Sequence, residues 1–433
     1  MTVDPCGQTP KLTMGVEEEF ILVDRRSRAP VGRGPRVIAE AAHRLGALVQ
    51  PEFFTAQVEV CTRPTSSTAA LAADLAGLRG ELGKAAEAEQ CLLLASGTPV
   101  IPPERPLTIT PDARYRRMAT RFASAIGARD QVVCGCHVHI GMEDRAQALE
   151  VSNRIRPWLP VLQALAANSP FDRGRDTGYA SWRAVEHGRW PTVGPTPVLD
   201  EGAYERIADD LVRCGALLDR RMIYWYARPS EHVPTLEIRI ADVNADLDTV
   251  VLLAALVRGL AATVLPEIDE GRPAPCVEGG RLREAHRLAA LHGLDGDGLD
   301  PCRGARLPAW ELVDRLRERA APGLGASGDL LLVDTLLDHL RATGGGAAAQ
   351  RAAHRRHGRL SDVVDALARE VLPWEGQQLE PPCPRPDPRE PSSRRRPPAS
   401  PAASAGCGPD AAGETSGTCN CGNARSGSPR SAS

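Results

Sequence analysis

The segment Gly15-Val16-Glu17-Glu18-Glu19-Phe20 decides the fold, because charged and apolar side chains alternate along it. In a β-strand, residues two apart point to the same face, so Glu17 and Glu19 lie together while Val16 faces the other way. A strand with one charged and one apolar face fits a sheet that packs on a core by one side only. The segment therefore predicts an antiparallel sheet whose second face carries carboxylates.

Three further segments repeat this two-faced pattern. They are Gln57-Val58-Glu59-Val60, Gly135-Cys136-His137-Val138-His139-Ile140 and Leu236-Glu237-Ile238-Arg239-Ile240. Charges gathered on one sheet face are costly unless metal ions or ionic ligands neutralise them. Carboxylate oxygens are hard ligands that suit Mg²⁺ or Mn²⁺. The four segments together predict a metal site on the sheet, and Glu52 adds one more carboxylate just before the second strand.

The remaining pattern up to about residue 376 predicts helices around this sheet. Helices are predicted near 35–48, 68–90, 111–126 and 201–220, and residues 246–372 read as mostly helical. Strands are predicted near 14–24, 55–62, 131–141, 222–228 and 234–242. Strands and helices do not alternate one by one, which favours the α+β class over a parallel βαβ arrangement. We expect an antiparallel β-sheet with helices packed on one face and an open active-site face. Residues 171–200, rich in Gly, Arg, Pro and aromatics, predict a long functional loop.

Composition separates residues 377–433 from the rest of the 433-residue chain. That segment consists largely of Pro, Ser, Gly, Ala and Arg, so we predict a disordered C-terminal tail after a single domain at 1–376. The net charge of −3 argues against a dedicated nucleic-acid binder.

The sequence also predicts a cytoplasmic location. The stretch from Met1 to Met14 lacks the apolar region of a secretory signal. The most apolar stretch, 250–265, is interrupted by Arg258 and is predicted to be a buried helix too short to span a bilayer. Twelve cysteines without a CxxC pair indicate reduced thiols.

Three local signals refine the site but leave its chemistry open. Two imidazoles on one strand face, from His137 and His139, also suit Zn²⁺, so a zinc-dependent amidohydrolase remains an alternative. A non-catalytic scaffold homologue is a second alternative. Arg239, beside Glu237, offers a guanidinium whose fork geometry suits phosphate. The 171–200 segment adds four arginines that could hold an anionic substrate: Arg173, Arg175, Arg183 and Arg189.

The chain also contains Ala167-Asn168-Ser169-Pro170-Phe171 and Glu237-Ile238-Arg239-Ile240-Ala241-Asp242. Together with the strand segments quoted above, these motifs resemble the type 2 glutamate–cysteine ligase family over about residues 12–374. The resemblance implies a glutamine synthetase-like sheet, the glutamate–cysteine ligase fold, that binds ATP and Mg²⁺, with Mn²⁺ as a substitute. It implies an ATP-dependent carboxylate–amine ligase, with weak glutamate–cysteine ligase activity. Such an enzyme forms an amide or γ-glutamyl bond through an acyl phosphate and releases ADP and phosphate. The implied partners are small-molecule substrates, without nucleic acid or membrane, and a homo-oligomer stays open.

The resemblance also implies residue roles. The implied metal ligands are Glu17, Glu19, Glu52, Glu59, His137 and Glu237. Arg239 and Glu59 are implied in catalysis, and Arg239 and His139 in ATP binding. Asn168, Ser169 and Arg183 are implied on the substrate side. Thr55-Ala56-Gln57 departs from the Gln-Ser-Thr expected there, so the role of Gln57 stays open.

Overall fold

The structure is a computed structural model that describes residues 12–123 and 131–372, and a seven-stranded antiparallel sheet organises them. The strands, in chain order, are β1 (Met14–Asp24), β2 (Val49–Pro51), β3 (Gln57–Cys61), β4 (Cys91–Leu94), β5 (Gly135–Gly141), β6 (Phe171–Asp172), β7 (Arg175–Asp176), β8 (Ala227–Pro229), β9 (Thr235–Asp242), β10 (Asp297–Asp300) and β11 (Ala305–Pro308).

The helices surround this sheet. They are α1 (Gly34–Leu45), α2 (Thr68–Ala88), α3 (Ala113–Arg121), α4 (Arg145–Ile155), α5 (Leu159–Leu165), α6 (Trp182–His187), α7 (Glu201–Arg213), α8 (Leu247–Asp269), α9 (Gly279–His292), α10 (Ala309–Ser327), α11 (Leu330–Thr343), α12 (Gly346–His357) and α13 (Leu360–Glu370). Short 3₁₀ turns lie at Gly46–Leu48, Arg156–Trp158 and Arg220–Met222.

Strand β1 lies at the centre of the large sheet. It pairs with β3, β4 and β5, and the sheet runs in the order β2-β3-β1-β5-β9-β8, with β4 alongside β1. All of these pairs are antiparallel. The predicted α+β architecture with an antiparallel sheet is therefore confirmed. The boundary predicted at residue 376 and the disordered tail predicted at 377–433 lie outside the described residues and stay predictions.

The apolar sheet face packs on a helical layer. Val16, Val138 and Ile238 are buried in one cluster with most of α8. By length and composition α8 could cross a membrane, but 83% of its most apolar window is buried within the protein. The expectation of a buried helix is confirmed, whereas the argument that this stretch is too short to span a bilayer was wrong. Arg258 sits inside α8 and pairs with Asp329 of the neighbouring helix layer.

Helix starts follow the capping signals of the sequence. The Ser67 hydroxyl accepts a hydrogen bond from the Ala70 N–H at the start of α2, and Asp144 caps α4 in the same way. Helix α7 ends at Arg213, earlier than the predicted residue 220, because the chain reaches Gly215 in a left-handed conformation with φ of 77°. The predicted end of the helix at 111–126 lies outside the described residues.

Several short elements were not predicted. Strand β4, Cys91-Leu92-Leu93-Leu94, is uniformly apolar and so shows no period-two alternation. The 171–200 segment, predicted to be a loop, holds the β6–β7 pair and α6, which Ser181 caps through the Ala184 N–H. A two-stranded β10–β11 hairpin interrupts the region predicted to be helical. Each element is too short for a periodic signal.

The middle glutamate of the first strand is buried on the helix side. Glu18 accepts two hydrogen bonds from Arg79 of α2, at 2.9 Å from Nε and 2.5 Å from Nη2. The remaining Arg79 donors reach the carbonyl oxygens of Asn244 and Ala245, both at 2.7 Å. This fully buried pair therefore joins β1, α2 and the chain that connects β9 to α8.

We expect Arg79→Met to lower the free energy of unfolding by about 3–5 kcal/mol, because it leaves the Glu18 carboxylate buried without its partner. Urea unfolding measures this loss. The matched control is Lys84→Met on the same helix, where the exposed pair with Glu81 contributes about 0–1 kcal/mol. Equal losses in the two variants would contradict the role given to the buried pair.

Candidate active site

The sheet register gathers the predicted carboxylates and imidazoles on one face. Glu17 lies opposite His137 of β5 on one side and Cys61 of β3 on the other, and Glu19 lies opposite Glu59. The Glu17 carboxylate contacts the His137 Nδ1 at 3.1 Å. Its second oxygen lies 3.3 Å from the Nε2 of His139. Glu17 is therefore at the centre of the group.

Glu237 lies at the β9 side of this face and is held by two arginines. Its Oε2 accepts a hydrogen bond from Arg228 Nε at 2.9 Å, and its Oε1 bonds Arg239 Nη1. Oε1 also lies 4.0 Å from the Nδ1 of His137.

Arg228 was missed by the sequence reasoning, although it belongs to a predicted strand next to that of Glu237. Its position opposite Glu237 could have been found only from the register of β8 and β9.

Glu52 completes the acidic group from the turn before β3. Its Oε2 accepts the Phe53 N–H at 2.7 Å. Burial raises the pKa of Glu52 to about 7, and the neighbouring Glu19 charge adds to this effect. Burial also raises the pKa of Glu59 well above its usual value, together with the charges of Glu17 and Glu52. The cations of the protein therefore do not fully neutralise the negative charge of Glu52 and Glu59.

The other side of the cluster is balanced by protein cations. Burial acts to raise the pKa of Glu17, but hydrogen bonds with His137 and His139 outweigh it and hold that pKa well below its usual range. Burial likewise opposes the charge of Glu237, yet Arg239 and Arg228 hold its pKa low. Burial lowers the pKa of His137 to about 4, assisted by the Arg239 charge. A neutral imidazole keeps a lone pair that a metal can accept.

The donor set fits a divalent metal. Glu17, His137 and Glu237 each offer a ligand atom within 4.8 Å of the others, and Glu17, Glu59 and Cys61 form a second such group. Among the described residues, the buried Nε2 of His137 has no hydrogen-bond partner. Burial raises the pKa of the Cys61 thiol, which keeps it a poor ligand beside hard carboxylates. Carboxylate-rich sites of this kind suit Mg²⁺ or Mn²⁺.

The three residues expected on the substrate side lie next to the cluster, but their side chains make different contacts. Arg183 is buried, and its guanidinium extends over Gly135 of β5. Asn168 and Ser169 are also buried, but their side chains bond within the protein, to Ala95 O and Val243 O and to the carboxylate of Asp242 respectively. Their substrate role stays a prediction. Asp242, which closes the last quoted motif, is a residue whose part in the site the sequence reasoning missed.

The other loop arginines do not join the cluster. Arg173 pairs with Asp172 and Arg189 with Glu186, while Arg175 is exposed. Only Arg183 of the four reaches the sheet, because it lies on α6, which packs against β9.

Gln57 has a structural role in this arrangement. Its Nε2 donates to Val133 O at 3.0 Å, and its Oε1 accepts the Phe54 N–H at 3.3 Å. These bonds join the start of β3 to the chain leading into β5, and leave the cluster to the carboxylates and imidazoles.

Comparison with known proteins identifies the family of this chain. The family model described as glutamate–cysteine ligase family 2 matches residues 13–366. A protein of Salinispora arenicola with the provisional name glutamate–cysteine ligase 2 is 43% identical over 379 residues, covering 86% of this chain and 99% of its own. A Saccharopolyspora erythraea protein provisionally named glutamate–cysteine ligase 2-1 is 45% identical over 372 residues, covering 85% and 97%. The chain belongs to glutamate–cysteine ligase family 2.

Solved structures share the fold of this family member. The glutamate–cysteine ligase of Francisella tularensis, solved in complex with AMP, superposes with a TM-score of 0.66 at 13% identity, covering 85% of this chain and 90% of that one. A bifunctional glutathione synthetase from Pasteurella multocida gives 0.62 at 14% identity, covering 83% of this chain and 52% of that one. At such low identity the likeness confirms the ligase fold alone.

We expect Glu52 to make the stability of the metal-free family member depend on pH. The unfolded Glu52 releases its proton near its usual pKa of 4.5, whereas the folded one holds it to about 7. Between these values folded Glu52 holds its proton more than unfolded Glu52 does, so its contribution to the free energy of unfolding falls with rising pH. Burial lowers the pKa of His137 to about 4, so this histidine contributes the opposite slope below about pH 6.5. Urea unfolding in chelator at about pH 5 and about pH 8 therefore compares the wild type with Glu52→Gln, and the wild type should lose more stability, or gain less, over this range.

Magnesium supplies the control for this prediction. Metal binding needs deprotonated carboxylates, so added Mg²⁺ should stabilise the protein more at about pH 8 than at about pH 5. A Glu52→Gln variant whose stability changes with pH to the same extent as that of the wild type would contradict the account.

Proposed function

We propose that this chain is an ATP-dependent carboxylate–amine ligase that joins glutamate to cysteine or a related amine with weak activity. The observation that carries the proposal is the convergence of Glu17, Glu59, His137, Glu237 and Arg239 on one sheet face. Burial raises the pKa of Glu59 in this group and of the neighbouring Glu52, and the charges of nearby carboxylates add to the effect. A site that needs extra positive charge suits a metal–nucleotide complex. The nucleotide bound to the Francisella tularensis relative in fold adds support.

Each residue has a proposed task. Glu17, Glu19, Glu52, Glu59, His137 and Glu237 would hold Mg²⁺, or Mn²⁺ in its place. When bound, the metal supplies positive charge that neutralises the phosphates of ATP. Arg239, fixed by Glu237 and placed over the Tyr224 ring at 5.6 Å, would offset charge on the transferred phosphoryl oxygens. His139, held at Nδ1 by the Thr235 hydroxyl at 2.9 Å and beside Glu17 at Nε2, is the proposed histidine of the ATP site.

The proposed reaction has two steps. A substrate carboxylate oxygen attacks the γ-phosphorus of ATP while the bond to ADP breaks, which gives an acyl phosphate. The amine then attacks the acyl carbon and loses a proton, the bond between the acyl carbon and the phosphate oxygen breaks, phosphate leaves, and an amide or γ-glutamyl bond remains. In such transfers the protein acts mainly by positioning and by electrostatic stabilisation. Glu59 would contribute through its charge, since cation binding beside it favours loss of its proton. We propose a cytoplasmic enzyme whose partners are small molecules.

The decisive measurement is ADP release from ATP and Mg²⁺ with glutamate plus cysteine, against a panel of other amino acids and amines. Glu17→Gln should reduce turnover on the order of a hundredfold or more, because Glu17 touches both histidines and belongs to both groups of candidate ligands. Glu40→Gln, an exposed glutamate of α1, is the matched control and should keep wild-type turnover. Wild-type protein that releases no ADP with any pair would refute the ligase and favour a non-catalytic scaffold.

Metal content separates the ligase from a zinc-dependent amidohydrolase. We expect purified protein to contain little zinc and its turnover to depend on added Mg²⁺ or Mn²⁺, since carboxylates outnumber imidazoles in the cluster. His137→Asn should then weaken the activation by Mg²⁺. Stoichiometric zinc that is retained through dialysis, together with amide hydrolysis in the absence of ATP, would establish the hydrolase instead.

A further inference from the structure

The outer face of α3 lines an open groove that is rich in arginine. The groove has a volume of about 510 Å³ and is lined by Ala113, Arg116, Arg117, Thr120, Arg121 and Leu218. This volume lies within the range of about 300–1,000 Å³ that is common for sites of small ligands. Such sites are mostly apolar, whereas half of the side chains here carry a guanidinium group. The lining therefore favours an anionic ligand.

The groove lies on the side of α3 that faces away from the acidic cluster. Its five helical residues follow the spacing i, i+3, i+4, i+7 and i+8 of one helix face: Ala113, Arg116, Arg117, Thr120 and Arg121. Because each residue turns the helix by about 100°, Tyr115 lies on the opposite face. Its ring packs on Phe53, the neighbour of Glu52, with centroids 5.5 Å apart. Helix α3 thus separates the groove from the candidate active site.

The arginines of this face are available to a ligand. Among the described residues, the side chains of Arg116 and Arg117 form no ion pair and no hydrogen bond. The Asp112 carboxylate at the start of the helix instead accepts the Arg114 N–H at 2.7 Å. Arg114, which does not line the groove, pairs with Asp219 at 2.6 Å. Like charges four residues apart disfavour a helix, so an anion bound between the groove arginines would relieve their repulsion.

The chain after α7 forms the second wall and holds one of the arginines. Arg121 donates from Nε to the Gly215 carbonyl oxygen at 3.1 Å, and its Nη2 bonds the same oxygen. Gly215 has a φ of 77°, and a Cβ added there would overlap Arg121 Nη2. Leu218 lines the groove from the same segment. The groove therefore combines two segments of the chain and contains a cation in a fixed position.

We propose that this surface, the α3 groove, binds a small multivalent anion of the polyphosphate class at a site separate from the candidate active site. Guanidinium forks match phosphate oxygens, and several phosphates on one chain can contact several arginines. From Arg116 to Arg121 the helix axis rises by about 7.5 Å. A short chain of linked phosphates can contact arginines spread over this length, whereas a single phosphate reaches fewer of them.

Two features favour a small anion over nucleic acid. The basic face is confined to one helix of nine residues, and the whole chain has a net charge of −3. A nucleic-acid binder contacts many phosphates along an extended basic surface, and the acidic remainder of this protein would repel such a polymer. The occupant is therefore a compact ligand whose charge is concentrated in the groove.

Calorimetric titration of the full chain with tripolyphosphate in chelator tests the site, because the acidic cluster repels phosphate when no metal is present. Arg116→Gln and Arg117→Gln should each raise the Kd by about tenfold or more, since each removes charge-assisted hydrogen bonds. Arg117→Lys should raise it less, because it keeps the charge and loses only the fork. The matched control is Arg213→Gln, an exposed arginine paired with Asp210 near Gly215, which should keep the Kd within about twofold.

A series of ligands tests the chemical class. Affinity should rise from orthophosphate through pyrophosphate to tripolyphosphate and should fall with added salt. ATP in the same buffer distinguishes a nucleotide from free polyphosphate as the source of the phosphate chain. Equal Kd values for orthophosphate and tripolyphosphate would overturn the multivalent ligand. A hexaglutamate peptide or an oligonucleotide that binds more tightly through the same arginines would overturn the small-anion class.

The location of binding has its own readout, which does not require ligase activity. Arg116 and Arg117 are exposed, so their replacement should leave urea unfolding unchanged. Binding that persists when both are replaced by glutamine would overturn the site and point to another basic segment, such as Arg394-Arg395-Arg396. Binding that is lost only in Arg239→Gln would assign the anion to the sheet face instead. Wild-type protein that does not bind tripolyphosphate would refute the proposal and leave the ligase untouched.

Discussion

The free-energy cost of collecting carboxylates on one buried sheet face is the constraint on which this structure depends. Strand β1 places Glu17 and Glu19 there, and its neighbours add Glu59 and Glu237. Such a cluster is stable in the folded protein only when protons, cations or ligands compensate its negative charge. The protein compensates the carboxylates more fully at one end of the face than at the other. This difference, more than the number of carboxylates, indicates where a bound cation would stabilise the site most.

The two ends of the face differ in what balances them. At the β9 end, Glu237 lies between Arg228 and Arg239 and stays ionised. At the β3 end, burial holds the pKa of Glu59 well above its usual value, and no arginine pairs with this carboxyl among the described residues. Added cations would therefore stabilise the β3 end most, while the β9 end supplies preorganised positive charge. Glu17 touches both regions, which explains why it belongs to both groups of potential metal ligands.

The sequence predicted the sheet and its charged face because period-two alternation is strong in β1, β5 and β9, where charged and apolar side chains take opposite sides. It also predicted Glu52 as a member of the group, and in the structure Glu52 interacts with Glu19 and Glu59. Other contacts depend on register and tertiary packing, which alternation does not encode. Arg228 faces Glu237 only because β8 pairs with β9 in one alignment. The Asp242 network joins residues more than sixty positions apart. Uniform runs such as β4 carry no period, so they escaped prediction.

The three consecutive glutamates of β1 show how one local pattern serves both faces. Alternation sends Glu17 and Glu19 to the site and leaves Glu18 in the core, where an unpaired carboxylate would be prohibitive. Arg79 not only pairs with Glu18 but also holds the carbonyl oxygens of Asn244 and Ala245, just beyond the end of β9. A one-residue slip of β1 would exchange its faces and break this pair. The core-side ion pair thus fixes, from behind the sheet, the alignment that brings Glu17 against His137 in front of it.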